Sequence, residues 1–140
     1  MIVLDTSGLL AALDADQHHH EPALQVLASD SGPFLLSPFV LAELDYLLLD
    51  RVGVQVERAL LDEVAGGAYE LVPFGVAEVA AAAELVGRYG ELRIGLADAS
   101  VAVTAAAAKT TRLLTLDERH FRLMRPLWGD AFTLLPADRD

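Results

Sequence analysis

The chain has no cysteine. A disulfide framework and a thiolate-held metal are therefore both excluded. Residues 1–50 contain neither lysine nor arginine. No long uncharged run occurs: in the most apolar region, only the ten residues between Asp98 and Lys109 are free of charge, whereas a membrane span needs about 20. A basic segment is missing from the N-terminus, which meets Asp5 at once, so no signal peptide is expected. Neither GxGxxG nor GxxxxGK[ST] is present, which argues against phosphate-cradling nucleotide loops. There is no internal repeat, low-complexity tail or linker.

What is present is hydrophobic and acidic. The 140 residues are 54% hydrophobic, enough to bury one sizeable core, so a single domain over 1–140 is expected. All of this suits the cytoplasm. The formal net charge is −11, and phosphate affinity comes from Lys and Arg, so the sum argues against nucleic acid. The distribution qualifies that reading. Half of the basic residues fall in one stretch, as Lys109, Arg112, Arg119, Arg122 and Arg125. That stretch is either a solvated helix face or a local basic patch.

Short apolar runs alternate with helical patterns. "MIVLD", "GPFLLSP", "YELVPF", "RLLTLD" and "FTLLP" read as five strands. Between them, "TSGLLAALDAD", "HHHEPALQVLASD", "FVLAELDYLLLDRVG", "VQVERALLDEVAGG", "VAEVAAAAELVGRYG" and "ADASVAVTAAAAK" read as helices, several punctuated by proline at the start or glycine at the end. The alternation predicts an α/β fold with a parallel sheet sandwiched by helices. In such sheets ligands bind outside the carboxyl ends of the strands. Asp5 and Asp117 both stand there.

Four carboxylates interrupt apolar segments. Asp5 and Asp117 each have two readings, as a helix cap or as a site acid. Glu43 has Phe39, Val40, Tyr46 and Leu47 three and four positions away, which places it on an apolar helix stripe where an unpaired carboxylate costs several kcal/mol. Asp45 points elsewhere and reads as a solvated acid. Asp98 opens a helix of Ala, Val, Ser and Thr, where the helix N-terminus favours an anion. If the sheet gathers all four, the cluster cannot stay ionised without a cation. Oxygen ligation without cysteine suits Mg²⁺ or Mn²⁺, and a carboxylate-held divalent ion serves phosphoryl chemistry.

"MIVLDTSGLLAAL", "SPFVLAELDYLL", "LADASVAVTAAA" and "LLTLDERHF" resemble, in order and over nearly the whole chain, the four motif blocks of PIN-domain ribonucleases. More narrowly they resemble the VapC toxins of VapBC toxin–antitoxin pairs. The resemblance implies a Mg²⁺- or Mn²⁺-dependent endoribonuclease whose acids are Asp5, Glu43, Asp98 and Asp117, the last being the most variable position. It assigns Thr6 and Ser7 as hydroxyls beside the first acid and Thr115 as a hydroxyl before the fourth. It also implies a homodimer, and a cognate VapB-like antitoxin whose tail occupies the active-site groove. The acidic balance departs from a generic RNA binder; it suggests a restricted RNA substrate and suits a basic antitoxin tail. Arg112 and Arg119 are the candidates for backbone phosphate contacts.

Other features have blander readings. His18, His19 and His20 do not face one way on a helix or strand and read as a surface loop. His120 reads as a packing or surface residue or as a neighbour of the site. Trp128 covers core or a dimer contact. An aspartyl phosphatase is disfavoured because Ser7 stands where its second aspartate belongs. Two further alternatives stay open: a PIN-like module that binds a partner or RNA without cutting, and a PIN nuclease of RNA processing outside a toxin system.

Overall fold

In the computed structural model, which describes residues 1–139, five short strands form one wholly parallel sheet ordered β3-β2-β1-β4-β5. The strands are β1 (Ile2–Leu4), β2 (Phe34–Leu36), β3 (Glu70–Leu71), β4 (Arg112–Leu114) and β5 (Thr133–Leu135). The helices are α1 (Thr6–Leu13), α2 (His20–Ser29), α3 (Pro38–Arg51), α4 (Val54–Ala65), α5 (Val76–Arg88), α6 (Leu96–Ala108) and α7 (Glu118–Leu123), with a 3₁₀ turn at Gly90–Leu92. The α/β architecture with a helix-covered parallel sheet is the one the sequence predicts. None of the described helices is long and apolar enough to cross a membrane.

Ile2, Val3 and Leu4 of the central strand have no exposed surface, as expected for a strand covered on both faces. From β1 the chain builds outward to β2 and β3, then returns to place β4 on the other side of β1. The strand order therefore reverses between β1 and β4. That reversal opens a crevice at the carboxyl ends of those two strands, where Asp5 and Thr115 follow the last strand residues.

Local chemistry sets the helices around this crevice. Ser37 caps α3, its hydroxyl accepting from the Phe39 amide at 3.1 Å, with Pro38 in the first helical position. Gly8 lets α1 lie directly on β4: a Cβ there would meet the Leu114 carbonyl oxygen at 2.4 Å. The α1 packing fixes Ser7 against the end of β4. Helices α1, α3 and α6 pack successively against one another.

Three elements differ from the sequence reading. Helix α7 was not anticipated, because six residues rich in charge carry too little periodicity to declare a helix. β3 shrinks to two exposed residues at the sheet edge. His20 belongs to α2, and its Nδ1 lies 2.8 Å from the Ala11 carbonyl oxygen, so only His18 and His19 remain in the connecting loop.

Candidate active site

Asp5 occupies the capping position of α1, yet its side chain makes no cap hydrogen bond. Instead its Oδ2 accepts from Thr115 Oγ1 at 2.7 Å and from Ser7 Oγ at 3.0 Å. The cap reading of Asp5 therefore fails. The two hydroxyls are anchored in turn: the Leu116 amide donates to Ser7 Oγ at 3.0 Å, and the Asp117 amide donates to Thr115 Oγ1 at 2.9 Å. This lattice ties the first acid, just after β1, to the backbone that carries the fourth.

Asp117 both caps a helix and faces the cleft. Its Oδ1 caps α7 by accepting from the His120 amide at 3.0 Å, while its Oδ2 lies 2.9 Å from His120 Nδ1. Asp98, in the first turn of α6, reaches the same ring nitrogen, with Oδ2 at 3.1 Å. Asp5, Glu43, Asp98 and Asp117 all line one open cleft of about 230 Å³, together with Thr6 and Ser7 and, as apolar wall, Leu10 and Leu47. Larger cavities exist elsewhere, such as an apolar one of about 290 Å³ lined by Val72, Phe74 and Val103, but none gathers these acids.

The cleft resists negative charge. Burial pushes the Asp5 carboxyl up to about 6, with the nearby Asp98 adding to the rise and the Thr115 and Ser7 hydroxyls opposing it. Asp98 is also raised, first by burial and then by the charges of Asp117 and Glu43, against the lowering effect of His120. Both shifts are what a bound cation would relieve. The hydroxyl of Thr6, buried in the cleft wall, has no hydrogen-bond partner among the described residues. A hard divalent ion fits this donor set of carboxylate oxygens that repel one another.

Three expectations need correction. Glu43 lines the cleft but is exposed. The desolvation argument for it does not hold, because Tyr46, on the same face, is itself 67% exposed. Asp45 is not fully solvated; it faces Glu57 of α4 and raises that carboxyl's pKa. Arg112 does not face the site. It begins β4, at the opposite end of the strand from Thr115 and Asp117, and its guanidinium holds Asp30 at 2.8 Å. Arg119 is exposed on α7, one residue before His120. Conversely, His120 is joined to two of the acids, a role its spacing from Asp117 hinted at without deciding.

A model of the PIN domain family matches residues 2–125. Ribonuclease VapC26 of Mycobacterium tuberculosis is 46% identical over 135 residues, 96% of this chain and 100% of that protein. Among solved structures, M. tuberculosis VapC20, a sarcin–ricin loop cleaving toxin, superposes with a TM-score of 0.79 at 22% identity, covering 85% of this chain and 92% of that one. VapBC2 from Rickettsia felis, bound to a DNA fragment from its promoter, gives 0.67 at 23% identity, covering 96% and 98%. Those two structures speak to the fold. The family match over most of the length and the relative at 46% identity together show that the chain belongs to the PIN-domain family, in its VapC branch.

Proposed function

We propose that this chain is a Mg²⁺- or Mn²⁺-dependent endoribonuclease and the toxin of a toxin–antitoxin pair. The observation that carries this reading is the convergence of four carboxylates from four separate elements on one cleft at the sheet's switch point. Its likeness to a ribonuclease of nearly the same length supports RNA as the substrate.

Asp5, Glu43 and Asp98 would hold the ion, with Asp117 helping directly or through water. Bound there, it would supply charge neutralisation at a phosphate oxygen and acidify a water. The chain's own residues do the rest. Ser7 and Thr115 fix the Asp5 carboxylate through Oδ2. A cleft carboxylate accepts a proton from the attacking water. The new P–O bond forms in line with the breaking P–O3′ bond, and the departing O3′ takes a proton from solvent, leaving a 5′-phosphate and a 3′-hydroxyl. Arg119, exposed on the helix that follows Asp117, is the remaining candidate for a backbone phosphate contact.

The same reading takes residues 1–140 as one PIN domain in the cytoplasm, working as a homodimer and restrained by a VapB-like antitoxin. Structural likeness to toxin–antitoxin complexes supports the partner. A net charge of −11 favours a basic tail in the cleft. The test is cleavage of RNA by the antitoxin-free chain with Mg²⁺ or Mn²⁺ against EDTA, beside Asp98→Asn. Cleavage that requires both the ion and Asp98 supports the reading. Cleavage that survives EDTA or the substitution overturns it.

A further inference from the structure

His120 is the group at this site for which the proposed chemistry has no use. Its Nδ1 stands 2.9 Å from Asp117 Oδ2 and 3.1 Å from Asp98 Oδ2, and ligand atoms of the three residues all lie within 4.8 Å of one another. A ring nitrogen carries at most one proton, so a single hydrogen bond cannot serve both carboxylates well. Neighbouring donors on one octahedral ion with bonds of about 2.1 Å are about 3 Å apart, which matches both separations. Asp117 and His120 share the first turn of α7, whereas Asp98 comes from α6, 22 residues away from His120 in sequence, so its approach to the same ring nitrogen is set by the tertiary fold. Thr6, a residue of the same cleft as Asp98 and Asp117, is 5% exposed, and its Oγ1 has no hydrogen-bond partner among the described residues.

We propose that His120 Nδ1 is a nitrogen ligand to the divalent ion held between Asp98 and Asp117, which makes the site a mixed nitrogen–oxygen one. This rests on the metal-dependent reading above. The ring binds as neutral imidazole with its proton on Nε2. An imidazole nitrogen favours a first-row transition ion over Mg²⁺, the hardest of the candidates. His120 therefore favours Mn²⁺ over Mg²⁺ in the cleft.

The test uses the full chain loaded with Mn²⁺ and read by pulsed electron paramagnetic resonance for coupling to ¹⁴N, with Mn²⁺ and Mg²⁺ affinities measured in parallel. The variants are His120→Ala, His120→Gln and Asp98→Asn, each confirmed as folded by circular dichroism. The expected result is nitrogen coupling in the wild type that disappears in both His120 variants. Mn²⁺ affinity should fall about tenfold or more, with a smaller fall for Mg²⁺. Absence of ¹⁴N coupling in the wild type overturns the assignment even if a variant fails to fold. Equal losses for the two ions that His120→Gln restores also overturn it, since they mark a hydrogen-bonding role. Failure of the underlying reading is distinguishable: there, Asp98→Asn binds Mn²⁺ as the wild type does.

Discussion

Thr115 Oγ1 lies 2.7 Å from Asp5 Oδ2 although 110 residues separate them in sequence. The contact joins the carboxyl ends of β1 and β4, the two strands between which the sheet reverses direction. It also sets the pair Asp5 and Asp117, because the same hydroxyl accepts from the Asp117 amide.

Thr115→Val keeps the shape and removes the hydroxyl. It leaves the Asp117 amide without its partner and Asp5 with one donor fewer. The expected cost is about 1–3 kcal/mol of stability, read by urea unfolding, together with weaker Mn²⁺ binding. Unchanged stability would show that the lattice is not what holds the two acids.

Asp5 gives the metal-free protein a distinctive pH dependence. Its folded pKa, about 6, lies above the ordinary value of 3.8, so between those limits the folded state binds more protons than the unfolded one. This group's contribution is most favourable below pH about 4 and is lost as pH rises through about 6. A rise of this size corresponds to about 3 kcal/mol. In EDTA, Asp5→Asn should flatten this part of the stability profile and be more stable than the wild type at pH 7. Parallel profiles for the two proteins would contradict the assignment.

Gly8→Ala tests the approach of α1 to β4. Alanine favours a helix by about 1 kcal/mol over glycine. Here its Cβ would stand 2.4 Å from the Leu114 carbonyl oxygen, and that atom belongs to the backbone. Overpacking of this kind costs about 1–3 kcal/mol, so the variant should melt at a lower temperature and lose activity as Ser7 shifts. A higher melting temperature would show that α1 can withdraw freely.

Arg112→Ala and Arg119→Ala should separate. Arg112 is committed to Asp30, a partly exposed pair worth about 1 kcal/mol at most. Its loss should lower stability slightly and leave RNA affinity unchanged. Arg119→Ala should weaken RNA binding and reduce the salt slope by about 1. The reverse pattern would place the phosphate path at the other end of the sheet.

These residues also mark how far the sequence could be read. Short apolar strands ending in Asp5 and in Thr115–Asp117 were legible, because a two-sided parallel sheet demands continuous apolar runs and its crevice lies at their ends. The helical pattern puts Glu43 on the face that lines the cleft, but the energetic argument for it does not hold. Apolar neighbours at helical spacing do not distinguish a buried stripe from an exposed one, and Leu49 and Tyr46 show that α3 has an exposed apolar face. Arg112 was misread because charge clustering along the chain is silent about which end of a strand carries each residue. His120 stayed undecided because its partner Asp98 is 22 residues away, beyond any local spacing rule. Gly8 passed unnoticed, since only the folded contact with Leu114 reveals why a side chain is forbidden there.

The most direct test of the central claim, that the four carboxylates form a divalent-cation site, is the melting temperature of the full chain at pH 7 with and without Mn²⁺. A ligand that binds the folded state alone raises stability in proportion to the logarithm of its concentration over its dissociation constant. The account predicts a concentration-dependent rise in the wild type that is absent in Asp98→Asn. A wild-type melting temperature unmoved by millimolar Mn²⁺ would contradict it, and would return the acids to the roles of caps and buried hydrogen-bond acceptors.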